Sequence, residues 1–98
     1  NLSEIFRTFA DANIKINLME NSAISFSVCI DNDLTKVEKL INILKEEYKV
    51  LYNENVELIT IRYYNQDTIN RVLHEKTILI EQRSRFSARF VVKPADLN

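Results

Sequence analysis

The sequence has no glycine in its 98 residues. An average usage of about 7% would place roughly seven glycines in a chain of this length. Glycine allows the backbone to approach a phosphate closely or to adopt positive φ. A Walker loop, a dinucleotide-binding turn, a kinase phosphate loop, a nucleophile elbow and an EF-hand all depend on it. The composition therefore excludes these sites from the chain.

Metal-ligating and redox-active residues are also scarce. One cysteine, Cys29, and one histidine, His74, are too few for an internal disulfide or a four-ligand zinc site. This usage is typical of the cytosol, so we expect a cytoplasmic protein with no cofactor in this segment. The formal net charge is −1, from 13 Lys+Arg and 14 Asp+Glu. Such a balance attracts neither nucleic acid nor anionic lipid, and we expect no nucleic-acid or membrane partner.

Long hydrophobic runs are missing as well. The longest apolar stretches contain only a few residues, far below the ~20 that a membrane-spanning helix needs. The N-terminus lacks the basic and apolar pattern of a signal peptide. Because the chain begins with Asn1 rather than Met, we expect it to be a fragment of a longer protein.

Hydrophobic spacing predicts alternating helices and strands in the first half of the chain. The predicted elements are a helix over 2–12, strands over 14–19 and 23–30, and a helix over 34–48. Asn13 is expected to end the first helix in the left-handed conformation that asparagine tolerates. A polar break at 20–22 makes the two strands antiparallel neighbours. Residues 31–33 supply N-cap candidates for the second helix.

The second half is predicted to contain more strand than helix. The predicted elements are strands over 49–52, 56–64, 77–82 and 86–92, with a short helix between the second and third. Asp67 is the expected cap of that helix, with Ile69, Val72 and Leu73 on its apolar side. Residues 83–85 form the tip of a last hairpin, and Pro94 ends the regular structure.

This order predicts an α+β fold of two ferredoxin-like halves, with antiparallel sheets and helices on one face. A complete βαββαβ unit needs one more strand before Leu2, and the second half needs a helix and a strand after Val92. We assign residues 1–54 to the first half and 55–98 to the second. Exposed strand edges are expected to be covered by a partner chain.

Several polar residues have a structural interpretation beside a functional one. Cys29 is expected to be structural, and His74 to close the short helix, where a cation favours the helix dipole. Glu46 and Glu47 are expected on a solvated helix face. The remaining group comprises Arg83, Ser84, Arg85, Arg89 and Lys93. This group suits either an anion site or a plain hairpin tip with interface salt bridges.

The tract formed by Asn17 and residues 20–24 places backbone groups beside small side chains. Main-chain contacts of this kind can hold the ammonium and carboxylate of a small amino acid. An ordinary surface β-turn is the alternative interpretation.

Several segments resemble the regulatory ACT domains at the C-terminal end of aspartokinases. Residues 1–6, NLSEIF, resemble the opening of the first ACT helix. Residues 16–28, INLMENSAISFSV, resemble the strand, turn and strand that follow it. Residues 57–61, ELITI, are similar to the opening strand of a second ACT repeat, and residues 78–92 are similar to its hairpin.

The resemblance implies tandem ACT repeats, the first over 1–54 without its first strand and the second, truncated, over 55–98. It implies that an end-product amino acid, threonine or lysine, binds at ACT interfaces and inhibits an attached aspartate kinase. It further implies a homodimer through the ACT sheets and an upstream kinase domain that holds ATP and magnesium, with no catalytic residue in this segment. The implied effector contacts are Leu2, Ser3, Asn17, Glu20, Asn21, Ser22, Ala23 and Ile24.

Two residues depart from the pattern of lysine-sensitive members. Asn17 and Ala23 replace acids that would pair with a bound amine, and a buried ammonium without a countercharge is costly. Glu20 partly restores the negative charge, while Asn21 matches the amide side chain of threonine-sensitive members and favours threonine. A purely structural ACT-like dimerisation module with no effector site is the alternative function. A small enzyme of the acylphosphatase kind is excluded by the lack of a glycine-containing anion loop.

Overall fold

A computed structural model describes residues 1–94 and shows an α+β protein with three helices and two small antiparallel sheets in that part of the chain. The elements are α1 (Leu2–Asp11), β1 (Ile16–Asn21), β2 (Phe26–Ile30), α2 (Leu34–Leu44), β3 (Glu57–Arg62), α3 (Gln66–Val72), β4 (Lys76–Arg83) and β5 (Ser87–Pro94). The predicted α+β class is confirmed. The end of the predicted second half, residues 95–98, lies outside the described residues.

The chain divides into two compact units. The first unit consists of Asn1–Asn17 and Cys29–Glu54, and the second of Leu18–Val28 and Asn55–Asn98. The first unit contains α1 and α2, while the second contains the three-stranded sheet and α3.

In the first unit, both helices begin at a side-chain cap. The side chain of Asn1 accepts a hydrogen bond from the backbone N–H of Glu4 at 3.2 Å, and α1 then buries Phe9. Asn13, just beyond α1, has φ 56°, which confirms the predicted left-handed position. The side chain of Asp33 caps α2 in the same way, and Leu40 of α2 is buried.

Two predictions for the end of the first unit are wrong. Helix α2 ends at Leu44 rather than Tyr48, and residues 45–48 form turns in which Tyr48 N–H donates to Leu44 O at 2.9 Å. Residues 49–52 form no strand. Their apolar side chains favour β structure, but Leu51 is 81% exposed and Tyr52 64% exposed. A short apolar run without a neighbouring strand to pair with gains nothing from extended pairing.

The turn of the β1–β2 hairpin lies later in the chain than predicted, over residues 22–25 rather than 20–22. β1 extends through Glu20 and Asn21, which were expected in the polar break, and β2 begins only at Phe26. The turn between them is closed by Ser22 N–H, which donates to Ser25 O at 2.9 Å. Ile24 belongs to the strand predicted over 23–30, but it lies in this turn and is 96% exposed.

In the second unit, the sheet has the order β3-β5-β4, with β5 antiparallel to both neighbours. Residues Glu57 to Arg62 pair with Val92 to Ser87. The β4–β5 register shifts between Ile78 and Ile80, which is the signature of a β-bulge. Helix α3 connects β3 to β4, and β5 lies between these two strands in the sheet. This is a split βαβ arrangement, which is compatible with a ferredoxin-like fold.

The core of the second unit forms where α3 covers one face of this sheet. Alternate residues of β5 point to that face, because successive strand side chains alternate. The buried cluster comprises Ile69, Leu73, Ala88, Phe90 and Val92. The predicted apolar side of α3 is therefore confirmed. Its predicted cap is wrong, because the Asn65 side chain accepts from Thr68 N–H at 2.8 Å, while Asp67 lies in the first turn.

Candidate functional site

The turn between β1 and β2 is held by the hydroxyl of Ser22. This oxygen accepts hydrogen bonds from the backbone N–H of Ile24 at 3.4 Å and of Ser25 at 3.1 Å. It also lies 2.8 Å from the Ser25 hydroxyl and 3.3 Å from the Ser25 carbonyl oxygen. A hydroxyl that accepts from backbone N–H groups two and three residues on is typical of a serine turn. The two amides are thus satisfied within the turn.

Besides Ser22 itself, four of the implied effector contacts lie at or beside this turn with exposed side chains. Glu20 and Asn21 are at the end of β1, and Ala23 and Ile24 are the central turn residues. The side chains are accessible, but a carboxylate that bound Ile24 N–H or Ser25 N–H would have to replace the Ser22 hydroxyl. The turn therefore offers exposed side chains more readily than free amides.

Asn17 is hydrogen-bonded to an acidic residue of the first unit. Its Nδ2 donates to Asp31 Oδ1 at 2.9 Å. Asp31 follows β2 directly, at the opposite end of the hairpin from the Ser22 turn. The bond uses one oxygen of the carboxylate, so Asp31 Oδ2 and Asn17 Oδ1 keep acceptor capacity. The pair places a negative charge next to Asn17.

Leu2 and Ser3 lie in the first turn of α1. Their backbone N–H groups belong to the first four of the helix, which have no partner inside the helix. The Asn1 side chain satisfies Glu4 N–H, and the backbone nitrogen of Asn1 donates to Tyr48 Oη at 3.3 Å. This end of the helix carries the positive pole of the helix dipole.

The implied effector contacts fall into two groups. Leu2, Ser3 and Asn17 belong to the first unit, and residues 20–24 belong to the second. Within the second group, Ser22, Ala23 and Ile24 share one turn. The assignment of these residues to an effector site stays a prediction.

Sequence reasoning missed the role of Asp31. Residues 31–33 were interpreted together as caps of α2, whereas only Asp33 caps the helix, through Lys36 N–H at 3.3 Å. The signal was available in the hairpin. A tight turn centred on Ala23 and Ile24 would bring the residues at the open end of the hairpin, Asn17 and Asp31, close together.

The other candidate residues are half-buried or exposed. Cys29 is half-buried in β2. His74 Nε2 lies 3.6 Å from Glu75 Oε1, and both side chains are largely exposed. Glu46 and Glu47 are exposed, as expected, but they follow α2 rather than lying in its last turn.

No group of three or more His, Cys, Asp or Glu side chains within 1–94 is arranged to hold a metal ion. None of the helices found in that same range is long and apolar enough to cross a membrane.

No protein-family model matches the chain, and no curated protein matches it significantly in sequence.

Proposed function

We propose that the chain is a tandem ACT regulatory domain of an aspartokinase, which binds threonine or lysine and contributes to a homodimer. The observation that carries the proposal is the likeness of residues 16–28 to the strand, turn and strand of that family. Two strands joined by the Ser22 turn support it, as does the split βαβ order of β3, α3, β4 and β5. The kinase reaction, with its ATP and magnesium, belongs to a domain outside these 98 residues.

The Asn17–Asp31 pair bears on which amino acid binds. An α-ammonium group needs acceptors and a countercharge, and Asp31 supplies both beside Asn17. The acid missing at position 17 is thus partly replaced by Asp31, which follows the neighbouring strand at the same end of the hairpin. This carboxylate reduces the argument against lysine, so both amino acids stay in the proposal.

Regulation by such a domain depends on the coupling free energy between effector binding and the inhibited arrangement of the protein. An effector that binds better to the inhibited arrangement shifts the population of molecules toward it. Typical couplings are about 1–3 kcal/mol, which correspond to a change of about 5- to 150-fold.

The proposal is tested by thermal unfolding of the chain with lysine, threonine, methionine or homoserine, together with its mass in solution. A ligand at a hundred times its Kd stabilises the folded state by about 2.7 kcal/mol. For a domain of this size, that should raise Tm by roughly 10 °C or more. We expect a shift with threonine or lysine and none with the other two.

Asp31→Asn should remove most of that shift, because the amide keeps the shape of the carboxylate but loses its charge. Asp33→Asn is the matched control, since it removes a charge two residues away and asparagine caps helices as well as aspartate. Equal shifts in the two variants would place the effector elsewhere. A dimer that ignores every amino acid would support the structural dimerisation module, and a monomer that ignores them all would contradict both functions.

A further inference from the structure

The tip of the second unit carries an exposed pair of aromatic rings. Tyr63 follows β3 and is 73% exposed, and Phe86 precedes β5 and is 52% exposed. Their ring centroids lie 5.8 Å apart with the planes tilted by 55°. The backbone joins them, because Tyr63 N–H donates to the Phe86 carbonyl oxygen. The pair is outside the buried cluster of the unit.

An arginine lies over each ring. The Arg62 guanidinium carbon is 5.8 Å from the Tyr63 centroid, and that of Arg85 is 5.0 Å from the Phe86 centroid. Cation–π contacts at this distance hold the guanidinium groups beside the rings. We call these four residues, Arg62, Tyr63, Arg85 and Phe86, the arginine–aromatic tip.

The backbone of Tyr63 is held in an unfavourable conformation. Its φ is 51°, in the left-handed region that is uncommon for a bulky side chain. Such residues cluster at functional sites, where the surrounding structure keeps them in place. Here the left-handed turn places Tyr63 in ring contact with Phe86 rather than in the core.

A polar pocket of about 280 Å³ lies at the same hairpin end, lined by Gln82, Arg83, Ser84, Ser87 and Arg89. No lining residue is acidic, and all five side chains can donate hydrogen bonds. Arg62 of the arginine–aromatic tip is the cross-strand partner of Ser87, and Arg89 is the partner of Gln82. Paired residues share one face of a sheet, so these groups are neighbours on the same face.

Charge at this end of the unit is strongly one-sided. Five of the six arginines in the sequence lie between residues 62 and 89, and four of them belong to the tip or the pocket. Within residues 1–94, Glu81 is the acid that contacts this group, and its Oε2 accepts from Arg83 Nε at 3.0 Å. Arg62, Arg85 and Arg89 therefore give a local positive charge that the overall value of −1 conceals.

We propose that the arginine–aromatic tip and the adjoining pocket bind a nucleotide, with the base stacked on Tyr63 or Phe86 and the phosphates held by the arginines. Base stacking on aromatic rings combined with arginine contacts to phosphate is how single-stranded nucleic acid is bound without sequence preference. Planar guanidinium groups also match phosphate geometry in two-point contacts. The ligand can be a free nucleotide or a unit of single-stranded nucleic acid. This site is independent of the proposed amino-acid effector.

Calorimetric titration of the chain tests the proposal with four probes. ATP represents the free nucleotide and a single-stranded oligoadenylate represents the polymer, while tripolyphosphate lacks the base and adenosine lacks the phosphates. We expect ATP or the oligoadenylate to bind at least about fivefold more tightly than tripolyphosphate or adenosine, since stacking contributes about 1–3 kcal/mol per base. The tighter of the two nucleotide probes identifies the source of the ligand.

Tyr63→Asn removes the ring and retains a residue that tolerates left-handed backbone. We expect it to weaken nucleotide binding by about 5- to 150-fold, whereas Tyr52→Asn, at an exposed tyrosine of the other unit, should leave the affinity unchanged. Phe86→Ser is a second variant that removes a ring from the same pair. Equal binding of ATP and tripolyphosphate, no binding at millimolar concentrations, or unchanged affinity in both ring variants would each overturn the proposal.

Discussion

Four residues of the described chain have positive φ: Asn13, Asn55, Tyr63 and Glu75. In most proteins glycine occupies many such positions, but this sequence has none. Asn13 fits the predicted helix end, and Asn55 lies between the strands predicted over 49–52 and 56–64. Tyr63 and Glu75 do not indicate a left-handed position in the sequence, because neither residue type favours positive φ. The hairpin around Tyr63 and the end of α3 before Glu75 impose this conformation. This is one residue-scale feature that sequence patterns cannot supply.

Glu75→Asn should stabilise the protein. Glu75 has φ 59° at the turn between α3 and β4, and asparagine adopts this conformation at lower cost. We expect the free energy of unfolding to rise by about 1 kcal/mol, and Tm by about 4–8 °C. The lost contact to His74 is on the surface and contributes little. Glu46→Asn, at an exposed residue outside the positive-φ set, is the control, and a Tm gain as large there would contradict this reasoning.

At the scale of elements, the three helices of residues 1–94 share one way of starting. Asn1, Asp33 and Asn65 each accept a hydrogen bond from the backbone N–H three residues later. Caps of this type are visible in sequence as an asparagine or aspartate before an apolar stripe. The prediction worked for α2 and failed for α3, where Asn65 and Asp67 are both good candidates and only the backbone angles decide between them.

Asn65→Ala should destabilise the protein more than Asp67→Ala. The first change removes the 2.8 Å cap to Thr68 N–H, which typically costs about 0.5–2 kcal/mol. The second removes only a charge that favours the helix dipole, typically about 0.3–1 kcal/mol. Urea unfolding of the two variants measures the difference. If Asp67→Ala proves more costly, the cap is wrongly assigned.

Strands were predicted well where an apolar alternation coincides with a partner strand. β3, β4 and β5 fall within about two residues of their predicted limits, because each pairs over most of its length. Residues 49–52 carry a similar apolar signal, yet they have no strand in the structure. Pairing is a tertiary property, and a run of three apolar residues does not determine it. The Asn17–Asp31 contact escaped prediction for another reason, because the turn was placed at residues 20–22 rather than around Ala23 and Ile24.

At the scale of the molecule, the stability of the second unit depends on the face of β5 that α3 covers. Phe90 and Val92 are fully buried there, and neither helix nor sheet could hide its apolar face alone. The sequence predicted which residues of α3 face inward. Local sequence patterns could not predict the strand order, in which β5 lies between β3 and β4. The ferredoxin-like interpretation is compatible with this order.

Phe90→Ala should be among the most destabilising single substitutions in the second unit. Removing a fully buried phenylalanine costs about 3–5 kcal/mol, since the cavity left behind fills only in part. Phe86→Ala, four residues earlier and half exposed, should change the free energy of unfolding by less than about 1 kcal/mol. Chemical denaturation compares the two variants. Similar losses in both would mean that the buried cluster contributes less than its burial indicates.

The route of the backbone through the two units limits how the protein can be dissected. The chain passes from the first unit to the second after Asn17, returns after Val28, and leaves again after Glu54. Cleavage at the last passage alone would leave residues 18–28 on the wrong fragment, separated from the sheet and helix with which they are grouped. Neither unit is a continuous segment of the sequence, so a chimera that exchanges one of them needs three junctions, after Asn17, Val28 and Glu54.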